Sequence, residues 1–152
     1  MKSVEIPWQS DLYQQEVALR DEVLRAPLGL GFTPEQLAAE KDELRFGVVD
    51  QQQVDQQLIA CVLVKPLSST VAKLRQMAVA PDRQREGVGA TLIWSVEKSL
   101  ADRGYEVIEM NAREVVMGFY QSLGYTSVGE RFVEVGIPHF KMSKQIGHEN
   151  KR

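Results

Sequence analysis

The sequence predicts a mixed α/β fold, a sheet with helices on both faces, and three observations predict it. Residues 58–64 are apolar at every position, the pattern of a central strand covered on both sides. Strand-like runs flank that segment, while other stretches carry apolar residues at helical spacing. The helical stretches are also interleaved with strands, the order of a layered α/β domain.

Taken along the chain, a short apolar opening at residues 4–8 precedes Ser10, which suits an N-cap for a helix carrying Leu12, Val17, Leu19, Val23 and Leu24. That helix is expected to end near Arg25, before Pro27 and Gly29. Thr33-Pro34 reads as a cap followed by proline at the first helical position, opening a short helix to about Lys41. Strands are predicted at 46–49 and 58–64, joined across a polar turn at 50–57, and again at 71–79. Pro81 closes the third of these. Leu92, Ile93, Val96 and Leu100 then form the apolar stripe of a helix reaching about Asp102, and Gly104 ends it. A strand at 105–110 precedes a helix expected from about Arg113 to Leu123, with Gly124 as C-cap and Tyr125 packing back on its last turn. Three short strands at 125–128, 132–135 and 139–143 finish a single domain of residues 1–146, and 147–152 reads as a flexible tail.

Composition removes several function classes. With 152 residues and a formal net charge of −3, the chain argues against a nucleic-acid partner, whose binders show a basic face, while leaving room for a local basic pocket. No stretch approaches the roughly 18 apolar residues of a membrane span, and residues 1–15 lack the apolar core of a signal peptide, so a cytoplasmic protein without a membrane partner is expected. The single cysteine, Cys61, cannot form an internal disulfide and lies in the apolar strand, the setting of a buried structural thiol.

The chemistry-bearing segment lies between the third strand and the long helix. Arg83-Gln84-Arg85-Glu86-Gly87-Val88-Gly89 is a glycine-bearing loop opening a helix. Such a turn leaves main-chain N–H groups unpaired at the positive end of the helix dipole, and glycine lets the backbone approach a diphosphate closely. A Walker loop is excluded because no Gly-Lys-Ser/Thr follows, and a Rossmann turn would come after the first strand rather than the third. Residues 74–81, Leu-Arg-Gln-Met-Ala-Val-Ala-Pro, leading into Gln84-x-x-Gly87-x-Gly89, resemble the main acyl-CoA motif of the GNAT superfamily of N-acyltransferases. Asn111-Ala112-Arg113 and Phe119-Tyr120-x-x-Leu123-Gly124-Tyr125 resemble the motif that follows it. The closing Gly136-Ile137-Pro138-His139-Phe140-x-Met142 is similar to a subset typified by glyphosate N-acetyltransferase.

The resemblance implies a mostly antiparallel central sheet and acetyl-CoA as co-substrate, with no metal. It further implies that Met77, Ala78 and Val79 offer main chain to the pantetheine arm, and that Gln84, Arg85, Glu86, Gly87, Val88, Gly89 and Ala90 hold the diphosphate. Asn111 matches a cofactor-contacting position. Tyr120 matches the tyrosine that protonates the departing thiolate, as a phenol with an ordinary pKa of about 10 could. His139 matches the general base, with Glu134 and then Glu109 as alternatives, and strand alternation sets it opposite Pro138, Phe140 and Met142. The other histidine, His148, falls in the tail. Arg75, placed in an apolar strand, and Arg113, placed in the first turn of a helix, sit where local energetics disfavour a cation. With Arg25 they match arginines that hold an anionic substrate, the alternative being salt bridges to Glu109, Glu114 or Glu134. The reading is an acetyltransferase for a small anionic amine, attacking directly in a ternary complex. Its rivals are a peptide or protein amine acetyltransferase, which predicts an acidic groove, and a non-catalytic acyl-CoA-binding module. An edge strand offers a route to a homodimer.

Overall fold

The structure, a computed structural model, describes residues 1–51 and 56–147. Its strands are β1 Lys2–Glu5, β2 Leu44–Asp50, β3 Gln57–Pro66, β4 Val71–Val79, β5 Val107–Arg113, β6 Thr126–Glu134 and β7 Ile137–Gln145. They form one sheet in the order β1-β2-β3-β4-β5-β7-β6. The β4–β5 pair is parallel, while β1–β2, β2–β3, β5–β7 and β6–β7 are antiparallel, so the sheet is mixed and mostly antiparallel as expected. Helices α1 Asp11–Arg20, α2 Pro34–Ala38, α3 Val88–Asp102 and α4 Met117–Ser122 flank it. The chain divides into two compact units, Met1–Lys65 with Gln76–Val96, and Pro66–Arg75 with Glu97–Arg152.

In the first unit every residue from Leu58 to Val64 is buried, which satisfies a strand with no polar face. Each such Leu, Ile or Val contributes about 1.5 to 3 kcal/mol by leaving water. Strand β2 runs beside it, Phe46 opposite Val62 and Gly47 opposite Cys61. The Ser10 side chain accepts from the Tyr13 N–H and starts α1, as its residue type predicts. The helical path continues beyond Arg20 as a π-helical turn, Asp21–Arg25, and stops at Gly29, whose φ is 71°. Helix α2 begins with the expected Thr33 cap, reinforced by Gln36 in a reciprocal capping box, and ends at Ala38 rather than Lys41.

In the second unit, β5 alternates buried Ile108, Met110 and Ala112 with half-buried Glu109, Asn111 and Arg113. That alternation carries the strand three residues past the predicted end. Arg113 is therefore the last residue of β5, not the first turn of a helix, and the expected conflict between its charge and a helix dipole does not exist. A 3-10 turn, Glu114–Val116, precedes α4. Gly124, at φ 95°, closes that helix, and the Tyr125 N–H bonds the Tyr120 carbonyl at 3.1 Å. The three short closing strands expected from the sequence are two long ones. Val135 and Gly136, with φ of 46° and 74°, make the tight turn between β6 and β7, and an irregularity between Val128 and Phe132 interrupts their register. The predicted tail beyond Gly147, including His148, and residues 52–55 of the polar turn lie outside the described residues.

Gly47 lies where β2 and its neighbours pack closely. A Cβ there would lie 2.6 Å from Leu58 Cδ1, 2.8 Å from the Ala60 carbonyl oxygen and 3.0 Å from Ile6 Cδ1. Gly47→Ala is expected to destabilise the fold by about 1 to 3 kcal/mol, measured by urea unfolding, because the carbonyl cannot move aside within a buried strand.

Candidate active site

The turn ahead of α3 has the geometry of an anion cradle. Arg85 and Gly87 both hold left-handed backbone, φ 72° and 79°, with Glu86 between them. Alternation of backbone hand over a few residues turns successive N–H groups to one side. The helical ladder begins with the Thr91 N–H on the Gly87 carbonyl at 3.1 Å, so the N–H groups of Val88, Gly89 and Ala90 precede it. A Cβ added at Gly87 would meet nothing within 4 Å, so the turn is open on that side. These features fit a diphosphate group.

Three fastenings hold the turn to its own unit. The Ala80 N–H donates to the Ile59 carbonyl at 2.8 Å. Gln84 Nε2 donates to the Val79 carbonyl at 3.2 Å, which makes that side chain a brace between strand and turn. The Arg83 guanidinium pairs with Asp50 and lies 3.7 Å from Glu86. Its charge is therefore neutralised within the protein.

Met77, Ala78 and Val79 close β4 just before this turn, and only Ala78 of the three is fully buried. The β4–β5 ladder runs from Val71 opposite Val107 to Leu74 opposite Met110. Two residues later Gln76 has φ 52°, a left-handed conformation that costs a non-glycine residue about 1 to 2 kcal/mol.

That residue belongs to a buried polar cluster the sequence reasoning missed. Arg20 is fully buried, 2.7 Å from Glu16, and donates to both carboxylate oxygens of Glu40 at 3.0 and 3.1 Å. Its Nη1 also donates to Gln76 Oε1 at 2.8 Å, and Gln76 Nε2 reaches Glu40 at 3.5 Å. Burial pushes the Glu16 carboxyl above its usual range against the pull of Arg20. The signal was present in the sequence as a Glu-x-x-x-Arg pair interleaved with Tyr13 and Leu19 on one helical face.

In the second unit, Arg113 of β5 stands opposite His139 of β7, and His139 stands opposite Phe132 of β6. The imidazole is buried, stacked on Phe132 at a 5.7 Å centroid distance. Its Nδ1 lies 2.7 Å from the Ile137 carbonyl. A carbonyl only accepts, so Nδ1 carries the proton and the neutral ring keeps its lone pair on Nε2. Nε2 is 3.8 Å from Glu134, whose side chain is half exposed. By strand alternation Lys73 and Arg75 of β4 share a face with Glu109, Asn111 and Arg113 of β5 and with His139 and Lys141 of β7. Of the carboxylates weighed as salt-bridge partners, Glu109 pairs with Lys141 at 3.6 Å and Glu114 with Arg131 at 3.1 Å.

Two expected site residues have close local partners in the structure. Arg25 donates to the Gly31 carbonyl at 2.9 Å and lies over the Phe32 ring at 4.9 Å, so its guanidinium fastens the loop after the π-helical turn. Tyr120 is buried edge-on to Phe119 and Tyr125, and burial pushes its phenol up to about 12 instead of the ordinary value expected. A separate groove on the first unit is lined in part by Gln15, Glu22, Ala80 and Asp82. Among the described residues no group of His, Cys, Asp and Glu is arranged to hold a metal, and no helix is long and apolar enough to cross a membrane.

Residues 33–146 match the family described as an acetyltransferase (GNAT) domain. A stretch of 75 residues is 37% identical to the "Uncharacterized N-acetyltransferase YitI" of Bacillus subtilis (strain 168), covering 49% of this chain and 50% of that protein. The chain spans about half the length of the curated relatives it matches. The fold is shared with an aminoglycoside 6'-N-acetyltransferase complexed with coenzyme A, at TM-score 0.80 and 19% identity over 95% of this chain and 97% of the other. It is shared also with the ribosomal-protein-S18-alanine N-acetyltransferase of Escherichia coli, at TM-score 0.74 and 16% identity over 97% and 96%.

Burial of Tyr120 has a measurable consequence. A phenol ionising near 12 in the folded chain and near 10 unfolded contributes its full stabilisation below pH 10 and loses it as pH rises toward 12. Ultraviolet titration of the wild type minus Tyr120→Phe is expected to show a single phenolate step close to pH 12; a step at pH 10 would contradict the burial.

Proposed function

The chain belongs to the GNAT acetyltransferase family, and we propose that it transfers an acetyl group from acetyl-CoA to the amine of a small anionic molecule in the cytoplasm, as does the subset resembling glyphosate N-acetyltransferase. The observation that carries this reading is the cross-strand pair of Arg113 and His139, a cation beside an imidazole whose free lone pair is on Nε2.

Acetyl-CoA, when bound, supplies the thioester whose carbonyl the amine attacks. The N–H groups of residues 85–90 hold the diphosphate, and the main chain of Met77, Ala78 and Val79 lines the pantetheine arm and donates to the acetyl oxygen. Asn111 is the cofactor-contacting position that the resemblance implies. Arg113 and Arg75 orient the acceptor through its carboxylate or phosphonate. Arg25 is the third arginine that the resemblance implies for the acceptor. His139 Nε2 takes the proton of the attacking amine, and Glu134 stabilises the imidazolium that results. Tyr120 donates a hydrogen bond to the departing sulfur. Burial raises that phenol's pKa and so disfavours its ionisation.

A second reading, a peptide or protein amine as acceptor, is favoured by the groove bearing Glu22 and Asp82, two carboxylates that would suit a cationic substrate. Thiol release from acetyl-CoA across a panel of anionic amines and basic peptides separates the two. Release with anionic amines alone supports the proposal, release with peptides alone supports the second reading, and binding without release leaves a non-catalytic module. With the best amine, His139→Ala is expected to lower kcat by about 10² to 10⁴ with coenzyme A affinity retained. Arg113→Met is expected to raise KM for that amine about tenfold to a hundredfold, the range for a lost charge-assisted hydrogen bond.

A further inference from the structure

We infer that Arg20, acting through Gln76, is a positioning residue for the coenzyme-binding end of β4, an inference that rests on the acetyltransferase reading. Gln76 is the residue of β4 held at positive φ, 52°, and it immediately precedes Met77, Ala78 and Val79. Glutamine has no intrinsic preference for that conformation; glycine would adopt it freely. What holds it is its side chain. Gln76 Oε1 accepts from Arg20 at 2.8 Å, and its Nε2 faces Glu40 at 3.5 Å.

Arg20 is itself held on several sides. It is fully buried, clamped by Glu40 through two hydrogen bonds and by Glu16 at 2.7 Å, and capped by the Phe32 ring at 4.8 Å. A buried ion cluster is a weak source of net stability, because desolvation offsets most of its Coulomb gain. Fixing one backbone conformation is something an apolar replacement could not do. The hub ties α1 and the segment after α2 to the single irregular residue of β4, and so sets the direction in which the next three residues present their main chain. A glycine at this place would permit the bend but not hold it.

The experiment is coenzyme A binding by calorimetry, with melting temperature recorded alongside, for the wild type, Gln76→Ala, Gln76→Gly, Arg20→Lys and Arg20→Lys combined with Gln76→Gly. Gln76→Ala and Gln76→Gly keep Arg20 together with both of its carboxylate partners, Glu16 and Glu40, so both are expected to fold. Gln76→Ala, which must hold a left-handed backbone without its anchor, is expected to weaken binding about tenfold, and Gln76→Gly no more than about threefold. Arg20→Lys is expected to weaken binding when Gln76 is present and to add nothing when combined with Gln76→Gly, since the two residues act as one unit. Equal binding by all variants, equal losses for Gln76→Ala and Gln76→Gly, or an Arg20→Lys loss of the same size in both backgrounds would each overturn the inference alone. A wild-type chain that does not bind coenzyme A overturns the acetyltransferase reading, and this inference with it.

Discussion

A strand without a polar face constrains everything near it. Leu58 to Val64 are all buried, so β3 can exist only with neighbouring strands beside it and side chains packed over both surfaces. Strand β2 supplies one neighbour, with Gly47 allowing the approach. The exit from β4 is tied to the same strand by the hydrogen bond from Ala80 to Ile59, and Asp50 at the end of β2 holds Arg83. The candidate phosphate turn is thus a surface loop whose start is fastened to buried strands. An anion site made of main-chain N–H groups needs such support, because its donors cannot reorient independently of the backbone.

The polar residues divide by the work their surroundings permit. Arg83 is neutralised by Asp50, Arg25 is occupied with Gly31 and Phe32, and Lys144 is held by Glu97 and the Leu123 carbonyl. Arg113 lies across the ladder from His139, and Glu114, one of the carboxylates weighed as a partner for the arginines, pairs with Arg131. The contact between His139 Nδ1 and Ile137 then decides which ring nitrogen is left with a lone pair. Position along two strands, rather than any unusual residue, brings this candidate pair together.

Local chemistry was the legible part of the sequence. Ser10, Thr33-Pro34, Pro81, Gly104 and Gly124 punctuate the chain by their own conformational preferences, and each element they bound is present. The apolar run of β3 likewise announced its burial. What could not be read depended on partners distant in sequence. Nothing local distinguishes the end of a strand from the first turn of a helix at Asn111-Ala112-Arg113, where pairing with β7 extends β5 to Arg113. The left-handed backbones of Gln76, Arg85 and Val135 break residue preference and are stabilised by the fold around them. The Arg20 cluster unites residues 20 and 56 positions apart, and only its Glu16 member was within reach of a periodicity argument.

The proposed hold on the coenzyme's diphosphate rests on main-chain amides at the start of α3. Amide resonances of the chain, followed during titration with coenzyme A, report on each of them. Saturable shifts centred on residues 85–90 are expected. Saturable binding with those six amides unmoved and the largest shifts elsewhere would contradict it.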